Sequence, residues 1–444
     1  MLKIIDDFVW GPPLLVLLVG TGIYLTIRLG LLQVLRLPKA FKLIFAEDKG
    51  EGDISSFAAL ATALAATVGT GNIVGVATAI KTGGPGALFW MWIAAFFGMA
   101  TKYSEGLLAI KFRTLDDQGN VSGGPMYYIT HGFSGKWQTI AKPLAYFFAF
   151  AGVLVAWLGI GTFSQVNSIT ASLQNSFDWS PKIVSVILAL ITAAIIFGGI
   201  QSISKVSEKV VPFMAGLYIL AALVVIFTNF NQLLPVLGMV FQSAFTGKAA
   251  VGGFAGATVM VAMRLGIARG VFSNESGLGS APIAAAAAKT EEPVEQGLIS
   301  MTGTFIDTII ICTLTGLAIL VTGQWSGSLE GAPMTQAAFS SIFGTFGELA
   351  LTLSLVLFAF TTILGWSYYG ERCFEFIFKS TKFLSFYRLI FVVMVALGGY
   401  LTLEVVWKIA DIVNGLMALP NLIALLVLSP IIFKETKSYF ERHK

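Results

Sequence analysis

The chain alternates long apolar stretches with short polar connections along its whole length. A helix needs about 20 mostly apolar residues to cross the hydrocarbon core of a bilayer. Eleven stretches meet or approach that length, so the pattern predicts eleven transmembrane helices, called spans 1 to 11 here. They cover residues 13–29, 56–80, 84–110, 143–173, 182–200, 208–228, 252–289, 296–322, 346–371, 384–402 and 404–433. We therefore predict an all-α integral membrane protein.

Two of the spans are interrupted by glycine and polar residues. Span 2 is interrupted at residues 69–72, and span 7 is interrupted over residues 264–282. In hydrocarbon, each freed backbone group costs several kcal/mol unless it is satisfied. Irregular backbone is therefore expected where it lines a cavity and offers N–H groups to an anion or carbonyls to a cation. For span 2, a helix-packing face through Gly71 and Gly75 is the competing interpretation.

The two breaks divide the chain into halves of five spans each, spans 2–6 and spans 7–11. Because five is odd, the halves have opposite topology, which is typical of secondary transporters built from inverted repeats. The predicted units are an extra N-terminal span with a loop (1–55), a first repeat (56–230), an outer helix with a second repeat (231–433) and a cytoplasmic tail (434–444). Short apolar stretches at 232–245 and 333–343 predict two helices on the outer face.

The composition agrees with a membrane protein and excludes several other classes. Hydrophobic residues make up 56% of the chain and charged residues 12%, against about 25% charged in soluble domains. The net charge of +4 is too small to indicate a nucleic-acid partner, and nothing indicates an obligate protein partner. Lys and Arg are concentrated in alternate connections, which places the N-terminus outside and the C-terminus in the cytoplasm. The predicted location is the cell membrane.

Residues for catalysis are sparse. His131 and His443 lie in a predicted loop and in the tail, without the spacing of metal ligands, and the chain has no P-loop pattern. Cys312 and Cys373 give no disulfide framework. We therefore predict neither an enzyme nor an ATP-driven pump, and no cofactor. A channel is the rival class, but the asymmetric breaks argue against a pore made from symmetric subunits.

Charged residues inside the spans should pair or face water, because each costs roughly 2.5–3.5 kcal/mol at the membrane centre. Three of them lie in the second break: Arg264, Arg269 and Glu275. For these, the lining of a functional cavity and a buried ion pair are both open. For Asp307 we favour pairing with one of the two arginines over cation or proton binding. Lys102 and Glu105 are three residues apart on span 3, which predicts a local ion pair.

Three motifs resemble the alanine/glycine:cation symporter family. They are Ala-Thr-Val-Gly-Thr-Gly-Asn at 66–72, Gly-Gly-Pro-Gly-Ala-Leu-Phe-Trp at the start of 83–98, and Phe-Ser-Asn-Glu-Ser-Gly-Leu-Gly-Ser-Ala-Pro at 272–282. The similarity covers essentially the whole chain. It implies the leucine-transporter (LeuT) fold of two inverted five-helix repeats, here with one extra N-terminal span. It also implies symport of small neutral amino acids, mainly alanine and glycine, with sodium or sometimes protons.

The resemblance further implies a substrate site at the two breaks. The substrate carboxylate would bind backbone N–H groups of the first break, since a half-helix N-terminus favours negative charge. The second break is richer in charge and polarity than a leucine-type pocket, and here this sequence departs from the relatives. We expect carbonyls of Gly266, Ile267 or Ala268 and side chains of Ser273 or Asn274 to receive the amino group, with Phe163, Phe272 and Trp366 packing beside the substrate side chain. Together the predicted substrate-binding residues are Gly69, Thr70, Gly71, Asn72, Gln165, Gly266, Ile267, Ala268, Phe272, Ser273, Asn274 and Trp366. A hydrogen bond between helices is the alternative role for Gln165.

A cation site is implied between spans 2 and 9. Its ligands would be backbone and hydroxyl oxygens from Ala65, Val68, Phe358, Thr361 and Thr362. Such oxygens suit sodium, which would be the coupling ion. The alternative for the two threonines is a hydrogen bond back to their own helix. Proton coupling, with its site nearer Glu275 or Asp307, also stays open.

Overall fold

The protein is almost entirely helical. The computed structural model describes residues 9–48, 50–246, 259–401 and 403–443. The α-helices of the first half are α1 (Pro12–Arg28), α2 (Leu32–Leu35), α3 (Leu37–Ile44), α4 (Ser56–Thr67), α5 (Val76–Gly83), α6 (Gly86–Lys111), α7 (Pro125–Gly132), α8 (Gln138–Leu158), α9 (Phe163–Phe177), α10 (Pro181–Ile196), α11 (Gly199–Thr228) and α12 (Phe230–Thr246). Those of the second half are α13 (Val259–Asn274), α14 (Ala281–Ala285), α15 (Pro293–Thr304), α16 (Thr313–Val321), α17 (Gly331–Phe343), α18 (Thr345–Phe378), α19 (Leu384–Leu397), α20 (Leu403–Val427) and α21 (Ser429–Arg442).

Shorter elements connect these helices. Two π-helical segments, Gly71–Gly75 and Phe305–Cys312, join α4 to α5 and α15 to α16. The 3₁₀ turns are Gly135–Trp137, Gln324–Ser326, Thr381–Phe383 and Gly398–Tyr400. Strands β1 (Thr114–Leu115) and β2 (Val121–Ser122) form an antiparallel hairpin after α6.

Six helical stretches of the described chain are long and apolar enough to cross a membrane. They are Gly135–Phe177, Gly199–Thr228, Pro293–Val321, Thr345–Phe378, Thr381–Tyr400 and Val406–Val427. The pair Ser56–Thr67 and Gly71–Gly83, bent by 51°, makes a seventh if it is counted as one span. Helices α1 and α10 are apolar but shorter, and residues 252–258 of predicted span 7 lie outside the described residues. A multi-pass helical architecture is confirmed, and the count of eleven stays a prediction.

The first broken helix is interrupted where the sequence predicts it. Helix α4 starts at an N-cap, since the Ser55 hydroxyl accepts the Ala58 N–H at 3.0 Å, and it continues through an alanine-rich stretch. It ends at Thr67, because Val68 adopts an extended conformation with ψ of 93°. The chain resumes as the π-helical segment and then as α5. The predicted break in span 2 is therefore confirmed.

The second broken helix is interrupted over fewer residues than predicted. Helix α13 continues through Asn274, and the break covers only residues 275–280. Glu275 ends the helix with a left-handed φ of 57°, which is uncommon for a residue with a Cβ. Span 7 was also expected to continue to residue 289, but α14 stops at Ala285 and the chain then turns.

A third interruption lies within predicted span 4, which we expected to be one continuous helix. Helix α8 ends at Leu158 and α9 starts at Phe163. Gly161 lies in the turn between them, and a Cβ there would lie 2.7 Å from the Ala156 carbonyl oxygen of α8 and 2.9 Å from the Trp366 Cβ of α18. The tight turn and the close approach of α18 together favour glycine at this position. The turn also sets the start of α9, the helix that carries Gln165.

Helix α6 is the central packing surface for the second half of the chain. It contacts both α13 and α15 along much of its length. Small residues allow this close approach, as is usual between helices in membranes. A Cβ on Gly297 of α15 would lie 2.7 Å from the Tyr103 carbonyl oxygen of α6. Gly266 of α13 leaves equally little room beside the Ala87 carbonyl.

At one end of the molecule, a single arginine ties together the segments that flank both broken helices. Arg113 follows α6, and its guanidinium donates four hydrogen bonds of 2.7–3.0 Å to backbone carbonyls, those of Glu51, Ala286, Ala288 and Thr290. Beside it, Ile54 and Ala288 form a parallel β-bridge. We call this arrangement the Arg113 latch. It joins the segment before α4 to the segment after α14.

Charged side chains join the β-hairpin to α18 at the same end. Arg372 of α18 pairs with Asp116 at 3.1 Å and with Glu375 at 2.8 Å. Burial alone would raise the pKa of Asp116, but hydrogen bonds from Asn120, Gln118 and Arg372 outweigh burial and hold the pKa below its usual value. Asp116 is therefore an anion at neutral pH and a suitable partner for the arginine.

The predicted outer helices and the predicted tail are both helical. The stretches 232–245 and 333–343 lie within α12 and α17. Span 11 was expected to continue to residue 433, but α20 ends at Val427, and α21 begins with Pro430 in its first turn. Helix α21 packs back on the bundle, since Glu435 pairs with Lys111 at 2.9 Å and Tyr439 donates a hydrogen bond to Glu295 at 2.8 Å.

Candidate functional site

The break after α4 turns two backbone N–H groups away from their own helix. Gly69 donates its N–H to the Asn72 side-chain oxygen at 2.8 Å, and Thr70 donates its N–H to the Gln165 Oε1 at 3.3 Å. In a continuous helix these groups would bond to the carbonyls four residues earlier. The Ala65 carbonyl thereby loses its usual helical donor. The first break thus presents both N–H groups and a carbonyl, as the sequence predicts.

Two polar side-chain atoms beside this break are buried without a hydrogen-bond partner among the described residues. They are the Thr70 hydroxyl oxygen and the Gln165 Nε2, both on residues with 0% exposure. Leaving a buried polar atom unpaired costs about 1–3 kcal/mol. Such groups are rare in folded proteins, and each calls for an explanation such as a ligand or a water molecule. Together with the two N–H groups, they form a compact set of donors suited to an anionic group.

The end of α13 closes the first break from the other side. A Cβ on Gly71 would lie 2.9 Å from the Ser273 Cα and 3.4 Å from Phe272 Cδ1. A Cβ on Gly69 would meet the Thr362 hydroxyl and would lie 3.3 Å from Gln165 Oε1. The structure therefore brings α4, α9, α13 and α18 together at the predicted substrate residues.

Asn72 links the first break to an aspartate that we had not placed in the site. Its amide nitrogen donates to Asp307 Oδ1 at 2.7 Å and to the Asp307 carbonyl at 3.1 Å. The same carboxylate accepts hydrogen bonds from Ser273 at 2.9 Å and from Thr308 at 2.7 Å. The aspartate therefore holds the first break and the end of α13 in one hydrogen-bond network.

This network corrects the pairing expected for Asp307. Its hydrogen bonds come from neutral side chains rather than from an arginine. Arg269 instead makes a bidentate pair with Asp411 of α20, with both N–O distances at 2.8 Å. Helix α20 therefore supplies the carboxylate for Arg269. A part-buried ion pair is confirmed for this arginine, with a partner that sequence spacing does not reveal.

The local ion pair expected between Lys102 and Glu105 is also wrong. Glu105 Oε1 accepts hydrogen bonds from Asn421 at 2.6 Å and from the Gly277 N–H at 3.1 Å. Lys102 Nζ has no hydrogen-bond or ion-pair partner in the part of the chain that the structure describes. The carboxylate is held by the second break and α20, so it is turned away from its neighbour on the helix.

The predicted cation residues are brought together in part. The Thr362 hydroxyl lies 3.5 Å from the Val68 carbonyl oxygen. Both threonine hydroxyls also donate to the Phe358 carbonyl at 3.0 Å, as the alternative interpretation expects. Thr361 faces α11, with its hydroxyl 3.6 Å from Met214 Sδ. Thr362 and Val68 therefore face each other across the gap between the spans, while Thr361 does not face that gap.

The complete chain, residues 1–444, matches the sodium:alanine symporter family. The chain belongs to this family. It is 51% identical to the sodium/alanine symporter AgcS of Methanococcus maripaludis, over 100% of this chain and 98% of the relative. It is 40% identical to the probable sodium/glutamine symporter GlnT of Bacillus subtilis, over 99% of this chain and 90% of the relative. The fold is similar to that of MhsT in complex with L-phenylalanine, with a TM-score of 0.63, 14% identity and coverage of 85% and 89% of the two chains.

Membership of the sodium:alanine symporter family confirms the resemblance seen in the three motifs. It makes the protein a transporter rather than an enzyme. The likeness to MhsT confirms a LeuT-like fold. The coarse function of this family member is therefore cation-coupled transport of an amino acid.

Three of the residues assigned to the substrate site lie elsewhere in this symporter. Gly266, Ile267 and Ala268 are inside α13, more than one turn before the break at residue 275. Their carbonyls face the N–H groups of their own helix, so they are not free to receive an amino group. Four glycines in this stretch suggested a longer break, but Gly266 serves close packing against α6.

The remaining predicted residues have identifiable partners. Phe272 is fully buried and packs against Trp407 at 5.3 Å. Trp366 is one turn beyond Thr362, and its indole N–H donates to Glu275 Oε1 at 2.8 Å. Asn274 donates to Thr308 at 3.0 Å. These contacts hold the second break in place, and the Trp366 indole contributes by its hydrogen bond to the Glu275 carboxylate.

Sequence reasoning named Asp307 and Glu275 for proton coupling, cavity lining or ion pairing, but did not show that they hold the two breaks of the symporter. Both are fully buried carboxylates that hold a broken helix. A carboxylate in the middle of an apolar span was the available signal, because intramembrane acidic residues usually mark function. The partners could not be read from the sequence, since Asn72 and Asp307 are separated by 235 residues.

Replacement of Gln165 tests whether its side chain belongs to the substrate site. We expect Gln165→Ala to raise the KM for substrate by about three- to tenfold, because one hydrogen bond contributes about 0.5–1.5 kcal/mol. The measurement is initial uptake rate against substrate concentration in proteoliposomes. Gln174→Ala, an exposed glutamine on the same helix, is the control. An unchanged KM for both variants would leave Gln165 as a contact between helices.

Proposed function

We propose that this protein carries small neutral amino acids, alanine and glycine, into the cell together with sodium. The observation that carries the proposal is the set of donors at the first break. It combines the N–H groups of Gly69 and Thr70 with the unpartnered Thr70 hydroxyl and Gln165 amide. An α-carboxylate offers two oxygens that match this set. The 51% identity to AgcS, a sodium/alanine symporter, supports the choice of substrate and ion.

The substrate carboxylate would take the position now served by a side-chain oxygen. Gln165 Oε1 lies 3.3 Å from the Thr70 N–H, which is longer than the usual 2.9–3.0 Å for such bonds. A carboxylate oxygen is a stronger acceptor than an amide oxygen, because charge-assisted bonds are about twice as strong. Rotation of the glutamine amide would then aim its unpartnered Nε2 at the carboxylate. Binding therefore exchanges one weak contact for several stronger ones.

The cation would bind between the first break and α18. The Val68 carbonyl and the Thr362 hydroxyl face each other there, and the Ala65 carbonyl has lost its helical donor. A cation at this position would fix the break while its N–H groups hold the substrate. Because the same backbone turn serves both ligands, occupation of one site would favour occupation of the other. This shared turn is the physical basis that we propose for coupling.

The proposed preference for small side chains follows from the close contacts around the break. Phe272 lies against Gly71, and Thr362 lies against Gly69. One methylene more in a close-fitting pocket changes binding by only about 1–3 kcal/mol, so steric exclusion must contribute to selectivity. The name of GlnT, a probable sodium/glutamine symporter, makes glutamine the relevant competitor to test.

We further propose that the protein lies in the plasma membrane with its N-terminus outside and its C-terminus in the cytoplasm. The distribution of Lys and Arg supports this orientation. The Arg113 latch then lies on the cytoplasmic side. Transport would proceed by alternating access, with the latch closed while the substrate enters from outside and opened for release.

Uptake by the purified protein in liposomes tests the proposed function. We expect an inward sodium gradient at fixed pH to drive accumulation of labelled alanine. A membrane potential of 100 mV contributes about 2.3 kcal/mol per charge and a tenfold sodium gradient about 1.4 kcal/mol, so accumulation of several hundredfold is within reach. Competition by unlabelled glycine and glutamine measures the size preference.

Other results would change the proposal in defined ways. Accumulation that follows only a proton gradient would move the coupling site to the buried carboxylates. Uptake that equilibrates without accumulation would indicate a channel. Competition by glutamine as strong as that by alanine would overturn the proposed preference for small side chains.

A further inference from the structure

Lys102 is a buried cation that the proposed transport site does not use. It lies on α6 with 3% of its surface exposed, and its Nζ has no hydrogen-bond or ion-pair partner among the residues described. A lysine ammonium is strongly hydrated, so burial without a partner is costly. Buried charges inside membrane proteins generally pair or serve a function. Lys102 therefore calls for a role beyond packing.

Three carboxylates on three different elements lie within electrostatic reach of this ammonium. They are Glu105 on α6 itself, Glu275 in the second break and Asp307 in the π-helical segment Phe305–Cys312. All three are fully buried. Each is held by neutral donors, such as Asn421 for Glu105 and Trp366 for Glu275. One ammonium thus stands within electrostatic reach of three carboxylates and in direct contact with none of them.

A small cavity, with space for about one water molecule, lies beside Lys102. The cavity is lined mainly by small residues of α4, α14 and α15, and its remaining lining side chains are uncharged. Thr67 lines it directly before Val68, the carbonyl assigned to the cation site. Gln296 also lines it and has a buried Oε1 without a partner among the described residues. The cavity therefore joins the ammonium to the underside of the first break.

Charge balance in the transport cycle explains why a lysine would be buried near these carboxylates. When a cation and an amino acid leave, the interior loses a positive charge that lay close to the buried carboxylates. Uncompensated buried charge opposes any rearrangement that must carry it through a low-dielectric interior. Lysine has a flexible four-carbon stem, so its ammonium can shift toward the carboxylates without a change in the backbone.

We propose that Lys102 is a tethered counter-ion that replaces the coupling cation during the return of the unloaded carrier. The proposal rests on cation-coupled symport as proposed above. In the loaded form, the free cation balances the carboxylates and the ammonium stays beside the cavity. In the unloaded form, the ammonium moves toward Glu275 and Asp307. Lys102 thereby acts in the return step and not in the binding of substrate.

Separate measurement of net uptake and exchange tests this role. Net uptake of labelled alanine under a sodium gradient requires the unloaded carrier to return. Exchange of labelled for unlabelled alanine, with sodium on both sides, does not require it. We expect Lys102→Gln to reduce net uptake at least about thirtyfold, as for an uncompensated buried charge. We expect it to leave exchange within about twofold of wild type, the range of changes that do not alter binding. Lys111→Gln, a half-exposed lysine at the end of the same helix, is the matched control.

A double variant distinguishes this role from simple charge neutralisation and also serves if the single variant does not fold. In Lys102→Gln with Glu105→Gln, a merely structural lysine predicts recovery of net uptake. The counter-ion role predicts that net uptake stays low while exchange continues, because Glu275 and Asp307 still lack their cation. Recovery in the double variant, unchanged net uptake in the single variant or loss of both rates would each overturn the proposal. Wild-type protein with neither rate would overturn the proposed function instead.

Discussion

Replacement of Asn72 by alanine is expected to reduce substrate uptake at least about a hundredfold, because it removes a charge-assisted bond and leaves a buried N–H unpaired. The Asn72 side chain accepts the Gly69 N–H at 2.8 Å and donates to the Asp307 carboxylate at 2.7 Å. Without the Asn72 side chain, the first break loses its hydrogen bonds to Asp307 in the π-helical segment Phe305–Cys312. The loss should appear in substrate affinity as well as in maximal rate, since the N–H groups proposed to bind substrate are no longer held in place.

The measurement for this variant is uptake of labelled alanine in proteoliposomes over a wide concentration range. Asn167→Ala is the matched control, because the one hydrogen bond of the Asn167 side chain among the described residues is the exposed one that it donates to the Leu401 carbonyl. A folded Asn72→Ala protein with wild-type KM would contradict the proposed substrate site. It would leave the hydrogen bonds between Asn72 and Asp307 as a purely structural contact.

Thr362 and Thr361 should differ in their effect on the coupling ion. We expect Thr362→Ala to raise the sodium concentration for half-maximal uptake by about thirtyfold, since a bond to a charged group contributes about 1.5–3 kcal/mol. The Thr362 hydroxyl faces the Val68 carbonyl, whereas the Thr361 hydroxyl faces Met214. Thr361→Ala should change the sodium dependence by less than about threefold, because only a bond back to its own helix is lost.

The sodium dependence of uptake at saturating alanine checks this pair, and the pair serves as its own control. Equal losses in both variants would mean that both hydroxyls bind the cation, as the family resemblance implies. Unchanged sodium dependence in both would place the cation elsewhere, with the buried carboxylates of Asp307 and Glu275 as the groups to examine.

The sequence predicts the first break well because its signal is local. Gly69 and Gly71 flank Thr70 within an otherwise apolar stretch, and the structure interrupts the helix there. The turn at Gly161 carries a similar signal, yet we read span 4 as continuous. Two contacts favour glycine there: the tight turn against the Ala156 carbonyl of α8, and the approach of the Trp366 Cβ of α18. The second joins distant elements, and it leaves no local trace in the sequence beyond the glycine itself.

The site was predictable in its residues more than in its connections. The motif at 66–72 identified Asn72, the position on span 4 singled out Gln165, and the family resemblance implied Thr362. The structure brings all three to the break. The sequence did not show that the Asp307 carboxylate accepts a hydrogen bond from Asn72, or that the Glu275 carboxylate accepts one from Trp366. Spacing along a helix suggested the pair Lys102 and Glu105. In the structure, the Glu105 carboxylate instead accepts hydrogen bonds from Asn421 of α20 and from the Gly277 N–H in the second break. Pairing across hundreds of residues is decided by the fold.

The Arg113 latch has a consequence for which mutations the protein can tolerate. All four acceptors of the guanidinium are backbone carbonyls. Every residue has a carbonyl, so the guanidinium does not recognise the side chains at these acceptor positions. Variation at the buried ones, Ala286, Ala288 and Thr290, is limited by packing instead. Of the five residues, only the donor contributes its side chain to the four hydrogen bonds, so a substitution at Arg113 removes all four at once. Lysine would be a poor substitute there, because one point charge cannot reproduce the planar fork of arginine.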